Sequence, residues 1–223
     1  MIYIVPIMGH GTVGKDYIVD NFFANSEFMQ SASSKIYYYD TASRAKSVLT
    51  EICTKQRTNV TLNESYGSKD DVYRRALVGI IDAFDSLNIR LYDTVDAILE
   101  IVTDYYTRFR HTCDNAVIFL NIRDVAFVET LVDKLSGKEY NFVSLIVVDG
   151  STRTPEYKDT PLDCKEYEQS LTGALNEIHI PYFIFKNDDI SIENQEEKMH
   201  DQANAFFKAL TNYFKADNKG GNK

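Results

Sequence analysis

The sequence predicts an α/β protein whose core is a doubly wound, mainly parallel sheet of five strands. Two observations predict it. Short apolar runs alternate along the chain with longer segments of helical period. A glycine-rich turn also stands between the first of those runs and the first helix, where a chain must reverse sharply and present backbone N–H groups. A length of 223 residues, 44% of them hydrophobic, suits a single domain over residues 1–214 with a core of its own.

The first strand is read at residues 2–8 and the first helix at 14–24. Pro6 removes an N–H from a strand expected to be central, which predicts a bulge or one broken ladder bond there. Residues 36–40 form the second strand, followed by a helix at 41–57 and a polar stretch at 58–68. Ser68 then caps a helix whose Tyr73, Leu77, Ile80, Ile81 and Phe84 recur at helical spacing, a stripe that should face a core. After Asn88, the positions Val95, Ile98, Leu99, Val102 and Tyr106 repeat that pattern to residue 110, so two helices follow one another with no strand between them. The alternation resumes with strand 116–122, helix 124–136 and strand 142–148. A polar loop at 149–162, holding Pro155 and Pro161, leads into helix 163–178, strand 181–186 and a last helix at 190–214. The tail at 215–223, with its paired glycines and alternating charge, is expected to fray.

Composition narrows the function classes. Thirty-three acidic against 24 basic residues give a formal charge of -9, which argues against the broad phosphate-neutralising surface of a nucleic-acid binder. Any anion site must be local. The longest apolar stretches, 116–120 and 142–148, fall far short of the ~20 residues a membrane helix needs, so no membrane partner is expected. Met1 passes directly into the first strand with no basic leader, and Cys53, Cys113 and Cys164 form neither a disulfide framework nor a zinc pattern; a cytoplasmic location is the expectation. Oligomeric state stays open, a homodimer included.

The turn reads Gly9-His10-Gly11-Thr12-Val13-Gly14-Lys15-Asp16. Gly9, Gly11 and Gly14 satisfy G-x-G-x-x-G, while Gly9, Gly14 and Lys15 satisfy G-x-x-x-x-G-K, so one octapeptide answers to two fingerprints. A dinucleotide reading gains from Asp40, which ends the second strand where a ribose-binding acid would sit. Against it stand Lys15, placed where a P-loop ammonium reaches the β- and γ-phosphates, and the long helical stretch before the third strand. The P-loop reading is preferred, with a purely structural glycine turn as the remaining alternative. Asp16 occupies the position where a hydroxyl normally meets Mg²⁺; its carboxylate is a hard oxygen ligand that can take that metal directly or through water.

In a chain of this size the Gly14-Lys15-Asp16 variant resembles the deoxynucleoside monophosphate kinases of bacteriophages and their bacterial relatives, and more distantly the animal phosphomevalonate kinases. The segment from Lys69 through Arg74, Arg75 and Leu77 to Phe84 looks like that family's helix carrying basic residues toward the acceptor. Asn121-Ile122-Arg123-Asp124 looks like its strand-end arginine followed by an acid, and Lys186-Asn187-Asp188-Asp189 like the turn that closes the nucleotide site. The resemblance implies ATP and Mg²⁺, a small nucleotide as substrate, and a P-loop kinase fold with a helical acceptor-binding insertion at about 41–110.

Such chemistry needs positioning and charge neutralisation rather than covalent work. Arg123, ending an apolar strand at the sheet's carboxyl edge, and Arg153, in the lid candidate 149–162, are the expected catalytic arginines beside Lys15. Arg44, Arg74 and Arg75 are the expected acceptor-binding cations, each with an ordinary solvated role as the alternative. Asp124 joins Asp16 as the metal-shell acid, with Asp149 as its rival. Tyr37, Tyr38 and Tyr39 are candidates for base stacking or for plain packing, and His10, His111, His179 and His200 show no ligand spacing. The expectation is Mg²⁺-dependent transfer of the ATP γ-phosphoryl group to a (deoxy)nucleoside monophosphate. A small-metabolite kinase and a nucleotide-sensing module without an acceptor are the alternatives.

Overall fold

The computed structural model describes residues 1–9, 14–31, 33–55, 71–122, 125–135, 141–142, 145–149, 182–187 and 194–220. Strand β1 (Ile2–Met8) is buried along its whole length. It lies in the middle of a parallel sheet that also contains β2 (Lys35–Asp40), β3 (Ala116–Asn121), β4 (Asn141–Phe142), β5 (Leu145–Asp149) and β6 (Tyr182–Lys186). The order across the sheet is β2-β3-β1-β5-β6, with β4 also paired to β1. The protein is thus α/β with a parallel sheet, as the sequence predicts.

The predicted strand 142–148 is found as two pieces, β4 and β5, and the reason is Pro6. Tyr3 faces Asn141 and Ile4 faces Phe142, but Ile7 faces Ile146, where an unbroken register would give Leu145. The partner strand gains one residue between those pairs. The carbonyls of Met1 and Ile7 accept bonds from Ala116 and Ile122, so the odd-numbered residues of β1 bond toward β3 and the even-numbered ones toward β4 and β5. Pro6 therefore withholds its N–H on the side where the register slips, as a proline in a central strand requires. On the β3 side the pairing runs without interruption from Ile2–Ala116 to Ile7–Asn121.

Alternation along the buried strands feeds two cores. The even face of β1 and β3 packs Ile2, Ile4, Met8, Ile118 and Leu120 against α5 (Ile89–Asp104) and α6 (Val125–Leu135). The odd face packs Tyr3, Val5, Ile7, Val117 and Phe119 against α1 (Lys15–Ile18), its π-helical continuation Val19–Phe23, and the long α7 (Gln195–Gly220). The widened turn, in which the Ala24 N–H reaches the Val19 carbonyl at 2.9 Å, lets Val19, Phe22 and Phe23 all face the core. Phe23 is the centre of that core, with ring centroids 5.1 Å from Phe119, 5.3 Å from Phe185 and 5.5 Å from Phe206.

Three further elements depart from expectation. A short helix α2 (Glu27–Ser31) follows Ser26, whose buried hydroxyl accepts from the Met29 N–H and caps it. Helices α3 (Ser43–Lys55) and α4 (Asp71–Ser86) precede α5, and the sharp joint between α4 and α5 rests on Asn88 at φ 56°. The α4 stripe Tyr73, Leu77, Ile80, Ile81 and Phe84 is only half-buried, because α5 and α6 already cover that face of the sheet and α4 leans on α3 and α5 from outside. Helix α7 extends through Gly220, past the predicted end at residue 214, since no residue between Phe214 and Gly220 breaks a helix. Ser68 and the predicted elements between 150 and 178 lie outside the described residues.

Replacing Phe23 by Ala opens a cavity among at least three aromatic neighbours and is expected to cost about 3–5 kcal/mol, read as a fall in the urea midpoint at unchanged slope. A loss below ~1 kcal/mol would show that α7 does not depend on this ring.

Candidate functional site

Residues converge at the carboxyl ends of the strands. Asp40, Asn121 and Ile7 share one row of the sheet. From the adjacent strands β1 and β3 the chain leaves to opposite faces, toward α1 and α6, which opens a crevice between them. The glycine turn begins there. Gly9 is buried with φ 148°, and Gly14 is left-handed with φ 78° and ψ 33°, conformations that L side chains rarely adopt. Gly14 sets the sharp entry into α1, whose first internal bond runs from the Ile18 N–H to the Gly14 carbonyl at 2.9 Å.

Lys15 is only 6% exposed and its Nζ donates to the Gly9 carbonyl at 3.0 Å, spanning the mouth of the turn. An ammonium is thereby held in a buried position with a neutral carbonyl among its partners, at the root of a loop bounded by two glycines. Such a group is set to exchange a carbonyl for an anion. His10, Gly11, Thr12 and Val13 lie outside the described residues.

Asp16 is exposed at the start of α1 and its carboxylate accepts a short hydrogen bond from the Tyr38 hydroxyl. Tyr38 reaches it because β2 alternates: Tyr37 and Tyr39 pack on the α5 side and Tyr38 on the α1 side. Burial above all, then the bond to Asp16 and the charges of Asp16 and Asp40, raises the Tyr38 phenol well above its ordinary value, while a bond to the Asn121 side chain opposes part of that shift. The phenol stays a neutral donor. Asn121 also receives the Thr41 N–H and hydroxyl on its carbonyl, at 3.3 and 2.9 Å, which fixes the end of β2 against β3.

Asp40 is engaged locally: its carboxylate accepts the Ala42 N–H at 3.0 Å and pairs with Lys46. It shapes the entry to α3 rather than standing open for a ribose. Arg44, in the first turn of α3, is 59% exposed and pairs with Asp93 of α5 at 2.6 Å. Arg75 is exposed on α4. The Arg74 side chain, Arg123, Asp124 and Arg153 lie outside the described residues, and of Asp149 only the backbone is described, paired with Lys186 at the end of β5. Among the described residues no three His, Cys, Asp or Glu side chains converge as a metal-binding group. Among the described residues Asp16 offers a carboxylate of the kind Mg²⁺ takes, since that metal keeps several waters and uses one or two carboxylates beside substrate phosphates. A groove of about 570 Å³ along α5 is lined by Asp96, Glu100, Asp104 and Arg108, a net acidic set that disfavours an anion.

Sequence reasoning missed the polar atoms left without partners. Among the described residues, buried side-chain atoms lacking a hydrogen bond are Asp93 Oδ2, Asn121 Oδ1 and both amide atoms of Gln195. All three residues lie at the carboxyl edge of the sheet: Asn121 ends β3, and Asp93 and Gln195 stand in the first turns of helices that run antiparallel to the strands. Buried orphan groups are rare and cluster where function requires them. The strand-end position of Asn121 was the signal available for it.

The structure gives a parallel α/β protein with a glycine–lysine turn at the end of its central strand. No family model matches the chain, and no curated protein sequence matches it.

Burial also holds the phenols of Tyr3, Tyr37, Tyr39 and Tyr105 above the ordinary value of 10.0. Because the folded chain keeps these protons where the unfolded chain releases them, stability is present below about pH 10 and is lost as pH rises beyond it. The urea midpoint is expected to fall above about pH 10, and less steeply in Tyr38→Phe. An equal slope in that variant would remove Tyr38 from the titrating set.

Proposed function

We propose that the chain is a P-loop nucleotide kinase with a five-stranded doubly wound core, transferring the ATP γ-phosphoryl group to a (deoxy)nucleoside monophosphate. The observation that carries this reading is the buried Lys15 ammonium held across the turn between two positive-φ glycines at the end of β1. In the nucleotide complex Lys15 would leave the Gly9 carbonyl for phosphate oxygens, and the turn's N–H groups would hold the rest of the anion. Asp16 would hold Mg²⁺, which when bound supplies charge neutralisation for the phosphates. The Tyr38 hydroxyl holds the Asp16 carboxylate in place. The engaged state of Asp40 speaks against the dinucleotide reading.

Acceptor binding by Arg44, with Arg74 and Arg75, follows from the side on which the helical insertion lies. A second reading, an ATP-binding module without an acceptor, is favoured by one observation: Arg44 already has Asp93 as its partner. The phosphomevalonate-type alternative differs only in the acceptor, and incubation with ATP and a panel of monophosphates separates the three.

Lys15→Met is expected to lower turnover by about 10²–10³-fold while the fold persists, because it removes a buried charge without opening a cavity. Full turnover in a folded variant would sink the P-loop reading. Asp16→Asn is expected to raise the Mg²⁺ concentration needed for half-maximal rate more than it changes the Kd for ATP. An unaltered Mg²⁺ titration would take Asp16 out of the metal shell.

A further inference from the structure

Helix α7 packs on the odd face of the sheet through Met199, Ala203, Phe206, Phe207 and Leu210, all buried. One turn before Met199 the same stripe continues with Gln195, 6% exposed, whose Oε1 and Nε2 have no hydrogen-bond partner among the described residues. An apolar residue would satisfy packing at this position. An amide with both atoms unmet costs about 1–3 kcal/mol per lost bond, so its presence calls for a group that matches it.

The position of Gln195 relative to the glycine turn follows from the topology. α1 and α7 both follow parallel strands and cover the same face, so they run in the same direction. They touch where His200 meets the Phe22 ring, centroids 4.9 Å apart. Counting back five residues on each helix from that contact brings Gln195 roughly level with Tyr17, in the turn that begins with Lys15. Across the sheet, β6 stands two strands from β1, a separation of about 10 Å. Gln202 ties α7 to the end of β6 by receiving the Lys186 N–H at 2.7 Å and donating to the Lys186 carbonyl at 3.1 Å. Base and ribose together span a comparable gap between the outer edge of the base and the phosphates.

We propose that Gln195 is the base-reading residue of the nucleotide site, its Nε2 donating to a ring nitrogen and its Oε1 accepting the exocyclic amino group of adenine. This rests on the phosphate-binding reading of the Gly9–Lys15 turn. A Gln amide makes that bidentate pairing with the N6 amino group and N7 of adenine, and the oxygen that replaces the amino group in hypoxanthine cannot donate to Oε1.

The test is calorimetric titration of the full chain with ATP, inosine triphosphate and tripolyphosphate, beside thermal unfolding without ligand. Wild type is expected to bind ATP at least about 10-fold more tightly than inosine triphosphate. Gln195→Leu is expected to weaken ATP about 10–100-fold, to leave tripolyphosphate unchanged, and to melt no lower than wild type without ligand because it relieves an unmet amide. Gln195→Glu, which offers two acceptors, is expected to shift preference from ATP toward GTP, whose base presents two adjacent donors. ATP affinity unchanged in Gln195→Leu, or a lower melting temperature with equal loss of ATP and tripolyphosphate, overturns the base-reading role and leaves the phosphate turn standing. Wild type that binds neither ATP nor tripolyphosphate overturns both.

Discussion

The structure depends on the complete burial of one strand. β1 has partners along both edges and cores on both faces, so none of its residues can be polar and its carboxyl end has one way out, upward into a turn. An all-apolar run of this length is what a central parallel strand requires. The same constraint explains the glycines. A chain leaving a strand enclosed on every side must turn before it meets a neighbour, and the positive φ at Gly9 and Gly14 makes that turn without strain. Lys15 then has its stem packed and its head directed back to the Gly9 carbonyl.

Charged groups at the crevice meet neutral ones. Lys15 donates to a carbonyl and Asp16 accepts from a phenol, so each of two adjacent opposite charges has a neutral group among its partners. Each can be drawn to a ligand of its own, an anion for the ammonium and a cation for the carboxylate, by exchanging a neutral bond for a charged one. In a chain with a formal charge of -9 this separation matters, since the surrounding field opposes an anion and the local ammonium must outweigh it. Arg44 behaves differently: it is already matched with Asp93, and an acceptor phosphate would have to compete for it.

Much of the fold was legible because burial leaves a direct mark on residue type. The apolar runs of β1 and β3, the α4–α5 boundary at Asn88 and the glycine turn follow from period and turn chemistry alone. Pro6 foretold a ladder defect, and the register slip beside it is that defect. What could not be read was anything decided between elements. The α4 stripe has the same period as the α5 stripe, yet only α5 reaches the sheet, because period records that a helix has an apolar side and not which layer it joins. Tyr37, Tyr38 and Tyr39 are identical letters, and only the pairing of β2 with β3 decides that the middle one meets Asp16. Gln195 carries no signal in the sequence, since the stripe it heads becomes visible only from Met199 onward.

The orphan polar atoms add a physical argument about where the molecule carries cost. A core assembled for stability alone would put apolar side chains at Asp93, Asn121 and Gln195, or pair every atom there. These three side chains instead stand at the carboxyl edge of the sheet, around the crevice that the diverging chains of β1 and β3 create. Marginal stability makes each unmet bond a noticeable fraction of the total. Several of them lie toward one edge, while the two cores beneath are made of Ile, Val, Leu and Phe in close contact, so the unmet polar cost is concentrated away from the packed interior. The opposite edge fits the same division. There the N-terminal ammonium donates to the Asp114 carbonyl at 2.7 Å, the Lys35 N–H reaches the Asn115 carbonyl at 2.9 Å, and no buried side-chain atom among the described residues is left unpaired.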